Sequence, residues 1–337
     1  MPLHRFAPYR PPAWLPDGHS QTIWSARIAP RPRIAYQREL WETPDGDQIA
    51  IDFTGSPASP SPSSKGDGAP LLVLFHGLEG SSQAHYSRSM MAAVQSQGWR
   101  GAVVHFRGCG GIENRLPRAY HSGDDAEIDW ILKRMKTRVG TASLYAVGIS
   151  LGGNALATWA GRRDQDAARV VEAAAAVSAP QDLAAGAQAL ARGFSRVYTE
   201  NFLKTLRIKA HRLAQRHPGL INASRAVRAR SFREFDDAVT APLHGFRDAD
   251  DYYTQSSCRR WLGGVRLPLL VINARNDPFL PASVLASAAQ VAPSVTLEYP
   301  AAGGHVGFPG NRSSVAGGRP EHSWLPQRIL HFFAGHG

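Results

Sequence analysis

Three residues of this chain have the types, order and spacing for nucleophilic chemistry on an acyl group: Ser150, Asp277 and His305. Ser150 is the centre of Gly148-Ile149-Ser150-Leu151-Gly152, between an apolar run at 142–147 and an Ala-rich stretch at 151–161. The run reads as a buried strand and the stretch as a helix. A serine on the turn between them is driven into a strained conformation that lifts its hydroxyl out of the sheet, and the glycines remove side chains that would collide there. The helix that follows aims its free N–H groups and positive dipole end back at the serine, which favours negative charge. A Gly-rich turn with an ordinary serine N-cap has the same five letters, so the partners decide.

A serine hydroxyl attacks a carbonyl only when a base takes its proton, and the base needs a carboxylate to orient it. In sheets of this kind the chain order is Ser, then Asp or Glu, then His. Asp277 follows the apolar run at 269–272, and His305 follows the next strand-like run, in Gly303-Gly304-His305. Asp277 alone would serve equally as a helix N-cap ahead of Pro278, and His305 alone is one of 13 histidines. Both fall at the correct strand end and in the correct order, and that favours a triad. Acyl transfer also needs donors for the oxyanion. The N–H of Leu151 is one; the N–H of Leu78, in the loop His76-Gly77-Leu78-Glu79-Gly80-Ser81 after the third strand, is the expected other. Glu79 belongs to that loop and not to the position of a catalytic acid. Cys109 lies between glycines with no assigned base. No HExxH or other metal-ligand cluster occurs and no GxGxxG opens a helix after a strand, so the expected chemistry needs no metal and no cofactor.

These residues must be held by a sheet. Strand-like and helix-like segments alternate: a hairpin at 39–43 and 48–54, strands at 71–75, 101–106, 142–147, 171–177, 267–273 and 295–299, and helices at 84–97, 124–138, 151–162, 281–289 and 323–334. Residues 55–70, rich in Pro, Ser and Gly, read as an exposed loop. Repeated βαβ units predict an α/β fold with a mostly parallel sheet flanked by helices. The stretch 183–260 differs, being basic, short of β-branched runs and patterned for helices. It reads as a helical cap inserted between strands six and seven, which divides the core into 1–182 (with an N-terminal arm) and 261–337. Such insertions roof the C-terminal strand ends, where open α/β sheets place their ligands.

Composition narrows the classes further. With 337 residues the chain can bury a large core, and two cysteines, Cys109 and Cys258, exclude a disulfide framework and fit a reducing compartment. No apolar signal segment opens the chain and no run approaches a membrane span, so a cytoplasmic location is expected. The net charge is +11, with 33 Arg against 5 Lys. The Arg residues are scattered, with one denser zone at 192–233, and no aromatic-interleaved basic stripe appears; nucleic acid is not expected as a partner. Weak attraction of that zone to anionic membrane is expected, and no obligate protein partner is indicated.

The chain resembles the YheT-type branch of the α/β-hydrolase superfamily, nearly end to end. The resemblance rests on Leu15-Pro16-Asp17-Gly18-His19-Ser20-Gln21-Thr22, the His76–Gly80 loop, Phe106-Arg107-Gly108-Cys109-Gly110-Gly111, Tyr120-His121-Ser122-Gly123 and Gly148-Ile149-Ser150-Leu151-Gly152-Gly153-Asn154. Further along it rests on Phe235-Asp236, Thr240-Ala241-Pro242, Gly245-Phe246, Asp251-Tyr252-Tyr253, Asn276-Asp277-Pro278 and Gly304-His305. What it implies is an α/β-hydrolase fold with a helical cap and a hydrolase of carboxylic esters or acyl lipids, using Ser150, Asp277 and His305. Eukaryotic relatives in this branch include membrane-anchored lipid hydrolases, and their N-terminal membrane segment is not expected here.

Two roles stay open at this level. Arg107, after the fourth strand, either binds a substrate anion or braces its loop through backbone carbonyls, and the second is expected. His19 and Gln21 either line the pocket or anchor the arm, again with the second expected. Three functions compete: a serine esterase, a non-catalytic binding protein on the same scaffold, and an amidase, thioesterase or perhydrolase using the same triad. Epoxide hydrolases and haloalkane dehalogenases carry Asp where Ser150 stands and are excluded.

Overall fold

The computed structural model describes residues 6–54, 68–310 and 323–336. The loop expected at 55–70 lies, except for its last three residues, outside the described residues. A short helix α1 (Gly18–Ile23) opens the arm, and β1 (Tyr36–Glu42) and β2 (Gln48–Thr54) form the hairpin. Then come β3 (Leu71–Phe75), α2 (His85–Ser96), β4 (Arg100–Val104), α3 (Asp125–Val139), β5 (Leu144–Ile149), α4 (Leu151–Arg163), α5 (Gln165–Val170) and β6 (Ala173–Val177). After a helical excursion the chain returns with β7 (Leu269–Ile272) and β8 (Val295–Glu298).

The eight strands form one sheet in the order β1-β2-β4-β3-β5-β6-β7-β8. β1 and β2 pair antiparallel, β2 pairs antiparallel with β4, and every remaining pair is parallel. Period-two alternation sends side chains to two cores. Leu71, Val73 and Phe75 of β3 face α3 and α4, while Leu72 and Leu74 face α2 and a last helix, Trp324–Ala334. A strand buried on both faces reads as a continuous apolar run, and β3, β5, β6 and β7 are buried throughout. β6 is four alanines and a valine. Alanine has little preference for strands, so the sheet neighbours and not intrinsic propensity place it there.

The excursion between β6 and β7 consists of α6 (Leu183–Leu190), α7 (Arg196–Arg216), α8 (Ala223–Arg228), α9 (Phe232–Phe235), α10 (Ala241–His244) and α11 (Ala249–Ser256); the last helix, α12, is Trp324–Ala334. Leu203, Ala210, Ala226, Ala229, Phe235 and Val239 give this insertion a small core of its own. α7 has 21 residues, and at about 1.5 Å per residue it spans about 31 Å.

One expected element is absent. Residues 281–289 form no α-helix; two short 3₁₀ turns, Ala282–Val284 and Ala288–Gln290, stand in its place. The reason is where the amides go. Ala286 N–H donates to Gln181 Oε1 (2.8 Å), and Ser287 with Gln290 closes a capping box in mid-segment. Both groups are thereby withdrawn from an i→i−4 ladder.

Candidate active site

β3, β4, β5, β7 and β8 run parallel, so the loops after them emerge at one edge of the sheet. Ser150 follows β5 directly, with φ +53° and ψ −118°, a conformation L-residues rarely adopt. The close packing of α4 under the turn requires glycine: a Cβ on Gly152 would lie 2.5 Å from the Phe75 carbonyl oxygen. α4 then begins at Leu151, its N-terminus beside the serine.

The structure brings the three sequence-selected residues together. His305 Nε2 lies 2.9 Å from Ser150 Oγ, and His305 Nδ1 lies 2.9 Å from Asp277 Oδ2. Asp277 is 7 % exposed, so little water competes for its carboxylate. Its second oxygen accepts from the Phe279 N–H at 2.8 Å, which turns the chain without starting a helix. Phe279 stacks on the His305 ring with centroids 3.9 Å apart and planes at 13°. That aromatic lid fixes the ring plane, and no spacing rule in the sequence pointed to it.

Leu78 and Leu151 border the same cavity as Ser150 and His305. Gly77 N–H donates to the Tyr86 hydroxyl (3.0 Å) and Glu79 N–H to the Tyr120 hydroxyl (2.8 Å), so the amides on either side of Leu78 are engaged. Among the described residues neither Leu78 N–H nor Leu151 N–H has a hydrogen-bond partner. Beneath this loop His76 is neutral: burial pushes its pKa down to about 3. Its Nδ1 faces the Gly77 carbonyl at 2.7 Å, and its Nε2 accepts from the Phe106 N–H at 3.2 Å. Glu79 has φ +54°. Its carboxylate accepts from Tyr120 (2.9 Å) and from Lys209 of α7 (2.6 Å), a link between the insertion and the loop after β3 that no local spacing anticipates.

The N-terminal arm holds the loops of Asp277 and His305. Gln21 Oε1 accepts from Gly303 N–H (2.7 Å) and from Asn276 Nδ2 (3.1 Å), while its own Nε2 donates to the Leu15 carbonyl (2.8 Å). Thr22 Oγ1 accepts from His305 N–H at 2.8 Å. Gln21 therefore anchors the arm as expected. His19 instead faces the insertion, with Nδ1 3.1 Å from the Tyr198 hydroxyl. Arg107 braces its loop, but through carboxylates and not carbonyls: Glu127 at 2.5 Å, Asp45 at 2.9 Å and Asp47 at 3.3 Å. Those partners use up the guanidinium. Burial pushes the Cys109 thiol up to about 11, which leaves it protonated and inert.

Ser150, His305, Leu78 and Leu151 border a cavity of about 400 Å³. Its upper wall is apolar and comes from the insertion: Leu190, Phe202, Leu206, Leu213, Phe235 and Val239. Among the described residues no group of three or more His, Cys, Asp or Glu converges as a metal site would require.

Residues 70–311 match the family described as alpha/beta hydrolase fold. The chain is 38 % identical over 92 % of its length to YheT of Escherichia coli (strain K12), an esterase candidate, and the match covers 88 % of that protein. The chain belongs to the YheT-type branch of the α/β hydrolases. Phospholipase ABHD3 of Mus musculus is 30 % identical over 89 % of this α/β hydrolase and 73 % of its own length. Among solved structures, an esterase from Pyrococcus furiosus superposes with a TM-score of 0.53 at 14 % identity, covering 92 % of this chain and 99 % of that one, a likeness of fold alone. The α/β hydrolase described here thus has relatives of esterase and lipase type, and among its described residues no helix is long and apolar enough to cross a membrane.

Proposed function

We propose that this α/β hydrolase cleaves carboxylic esters, acyl lipids among them, through an acyl-enzyme on Ser150. The observation that carries the reading is the pair of 2.9 Å contacts that join Ser150 Oγ to His305 and His305 to Asp277, at the base of an apolar cavity. Ser150 Oγ attacks the ester carbonyl as His305 Nε2 accepts its proton, and the carboxylate of Asp277 stabilises the imidazolium. The oxyanion of the tetrahedral intermediate accepts from the N–H groups of Leu78 and Leu151, in a site already arranged to receive it. Collapse breaks the bond to the alkoxide, which leaves as the alcohol with the proton from His305. Water, deprotonated by the same nitrogen, then attacks the acyl-enzyme and releases the carboxylic acid and Ser150.

The insertion's apolar wall suits the acyl chain, and the relationship to a phospholipase supports acyl lipids as a substrate class. A p-nitrophenyl ester series of increasing acyl length, run beside fluorophosphonate labelling, tests this. Labelling at Ser150 together with turnover that rises beyond the acetate ester is the expected result. An unlabelled Ser150 would end the proposal.

A further inference from the structure

Among the described residues eight large apolar side chains are strongly exposed, and seven of them lie on the arm (Trp14, Ile28) or the insertion (Phe194, Val197, Ile208, Leu220, Val227). Isolated exposed apolar groups are ordinary on a protein surface; a group of them beside unpaired cations is not. Several contacts join the arm and the insertion into one seam. Trp14 packs edge-on against Trp24 with centroids at 4.6 Å, and Arg27 of the arm donates to Asn201 of α7 at 3.3 Å. The His19 ring meets that of Phe194 at 4.9 Å. Val197, one helical turn before Asn201, shares a shallow groove with Val227, Arg196, Arg228 and Arg230.

The charge of that groove is one-sided. Arg207 and Glu200 also line it, and they pair with each other at 2.6 Å. The guanidinium groups of Arg196, Arg228 and Arg230 have no carboxylate partner among the described residues, nor have those of Arg27 and Arg31 on the arm; the backbone N–H of Arg230 donates to the Glu234 carboxylate at 2.7 Å. Val197 and Ile28 are 57 % and 59 % exposed beside them. Aliphatic and aromatic side chains that enter the acyl boundary, with guanidinium groups at phosphate level, are what a bilayer surface selects. A nucleic acid would engage the arginines and leave the aliphatic side chains uncovered.

The seam also leads to the chemistry. From exposed Phe194, ring contacts pass through His19 and Tyr198 to Phe279, at 4.9, 5.8 and 4.8 Å, and Phe279 stacks on His305. We infer that the seam between the N-terminal arm and the outer face of α7 and α8 is an interfacial face that docks this chain on anionic lipid headgroups. Docking itself is independent of the proposed function; that it serves to draw acyl esters from the membrane rests on that reading.

The test is co-sedimentation of the full chain with vesicles of phosphatidylcholine alone and of phosphatidylcholine mixed with phosphatidylglycerol, at low and physiological salt. The wild type is expected to bind the mixed vesicles at least about tenfold more tightly than the neutral ones, and less tightly as salt rises. The paired substitutions Arg196→Glu with Arg228→Glu, and separately Phe194→Ser with Val197→Ser, should each weaken that binding about tenfold. The Arg196→Glu, Arg228→Glu pair should leave turnover of a water-soluble acetate ester unchanged, since neither residue borders the cavity or belongs to the ring contacts that reach His305. Equal sedimentation with both vesicle types, or binding that neither pair weakens, overturns the inference. So does duplex DNA binding that survives physiological salt and the Phe194→Ser, Val197→Ser pair. Sedimentation is read without turnover, so a protein that docks yet hydrolyses no ester contradicts the proposed function and upholds the docking face.

Discussion

Ser150 and His305 meet at 2.9 Å, but the chain holds them in different ways. Ser150 is held locally. Its positive φ, the close approach of Gly152 to β3 and the start of α4 all come from neighbours within a few residues or from the next strand. His305 is held from far away. Its N–H donates to Thr22, and Gln21 bridges Gly303 to Asn276, so the loops of His305 and Asp277 are both fastened to a segment more than 250 residues earlier. The packing is tight enough that a Cβ on Gly18 would lie 1.9 Å from the Asn276 carbonyl oxygen. Strain can be stored in a short turn if the sheet on either side is rigid. The angle of an imidazole on a loop has no such local determinant, and a separate clamp must supply it.

The comparison can be broken or sharpened by substitution. Ser150→Ala should have the largest effect, a loss of about three orders of magnitude or more in ester turnover with the thermal midpoint nearly unchanged. Wild-type turnover in that variant would dissolve the comparison. Gly152→Ala comes next. Because the new methyl would meet backbone and not a flexible side chain, turnover should fall about a hundredfold and the thermal midpoint by several degrees, as calorimetry would read.

Thr22→Val removes the acceptor for His305 N–H at nearly constant volume. An unpaired buried N–H costs about 1–3 kcal/mol, so kcat should fall about tenfold with KM little changed, and Thr22→Ser should restore it. Equal kcat in Thr22→Val and wild type would show that the arm merely packs. Lys209→Met cuts the link from α7 to Glu79 and leaves Ser150 and its elbow untouched. A fewfold rise in KM, with unchanged fluorophosphonate labelling, is expected from its part-exposed position.

The smallest effect concerns acid. Burial pushes His76, just after β3, and His244, in the insertion, down to about 3. The unfolded chain takes up protons at these sites below about pH 6.5, whereas the folded chain does so only near pH 3. Stability should therefore be full above about pH 6.5 and be lost progressively as pH falls towards the folded values, seen as a falling urea midpoint between about pH 6.5 and 4. His244 Nε2 has no partner among the described residues, so His244→Phe should flatten that slope at little cost near pH 7. His76→Phe would flatten it too, but it strands the Phe106 N–H and should cost about 1–3 kcal/mol at neutral pH.

The same division between local and distant support explains what was legible in the sequence. The elbow, the buried parallel strands and the helical insertion were readable because each follows from spacing within a short window: period two in a strand, a glycine where backbones touch, a helix after a turn. Ser150, Asp277 and His305 were found by chain order and strand end, which topology dictates. The segment 281–289 looked helical and is not, because Gln181, about a hundred residues earlier, takes the Ala286 amide. Arg107 was expected on carbonyls and is held by Asp45, Asp47 and Glu127, which come from the hairpin and α3.

What the sequence by itself determined was the order of elements and the strand ends at which Ser150, Asp277 and His305 stand, since both are encoded within single elements. Only the tertiary structure decided how those groups are aimed: the clamp of Gln21 and Thr22, the stacking of Phe279 on His305, and the reach of Lys209 to Glu79. Each joins groups some 26 to 283 positions apart across separate elements. Their pairing depends on how the sheet, the arm and the insertion pack together, and no local pattern of residues records that.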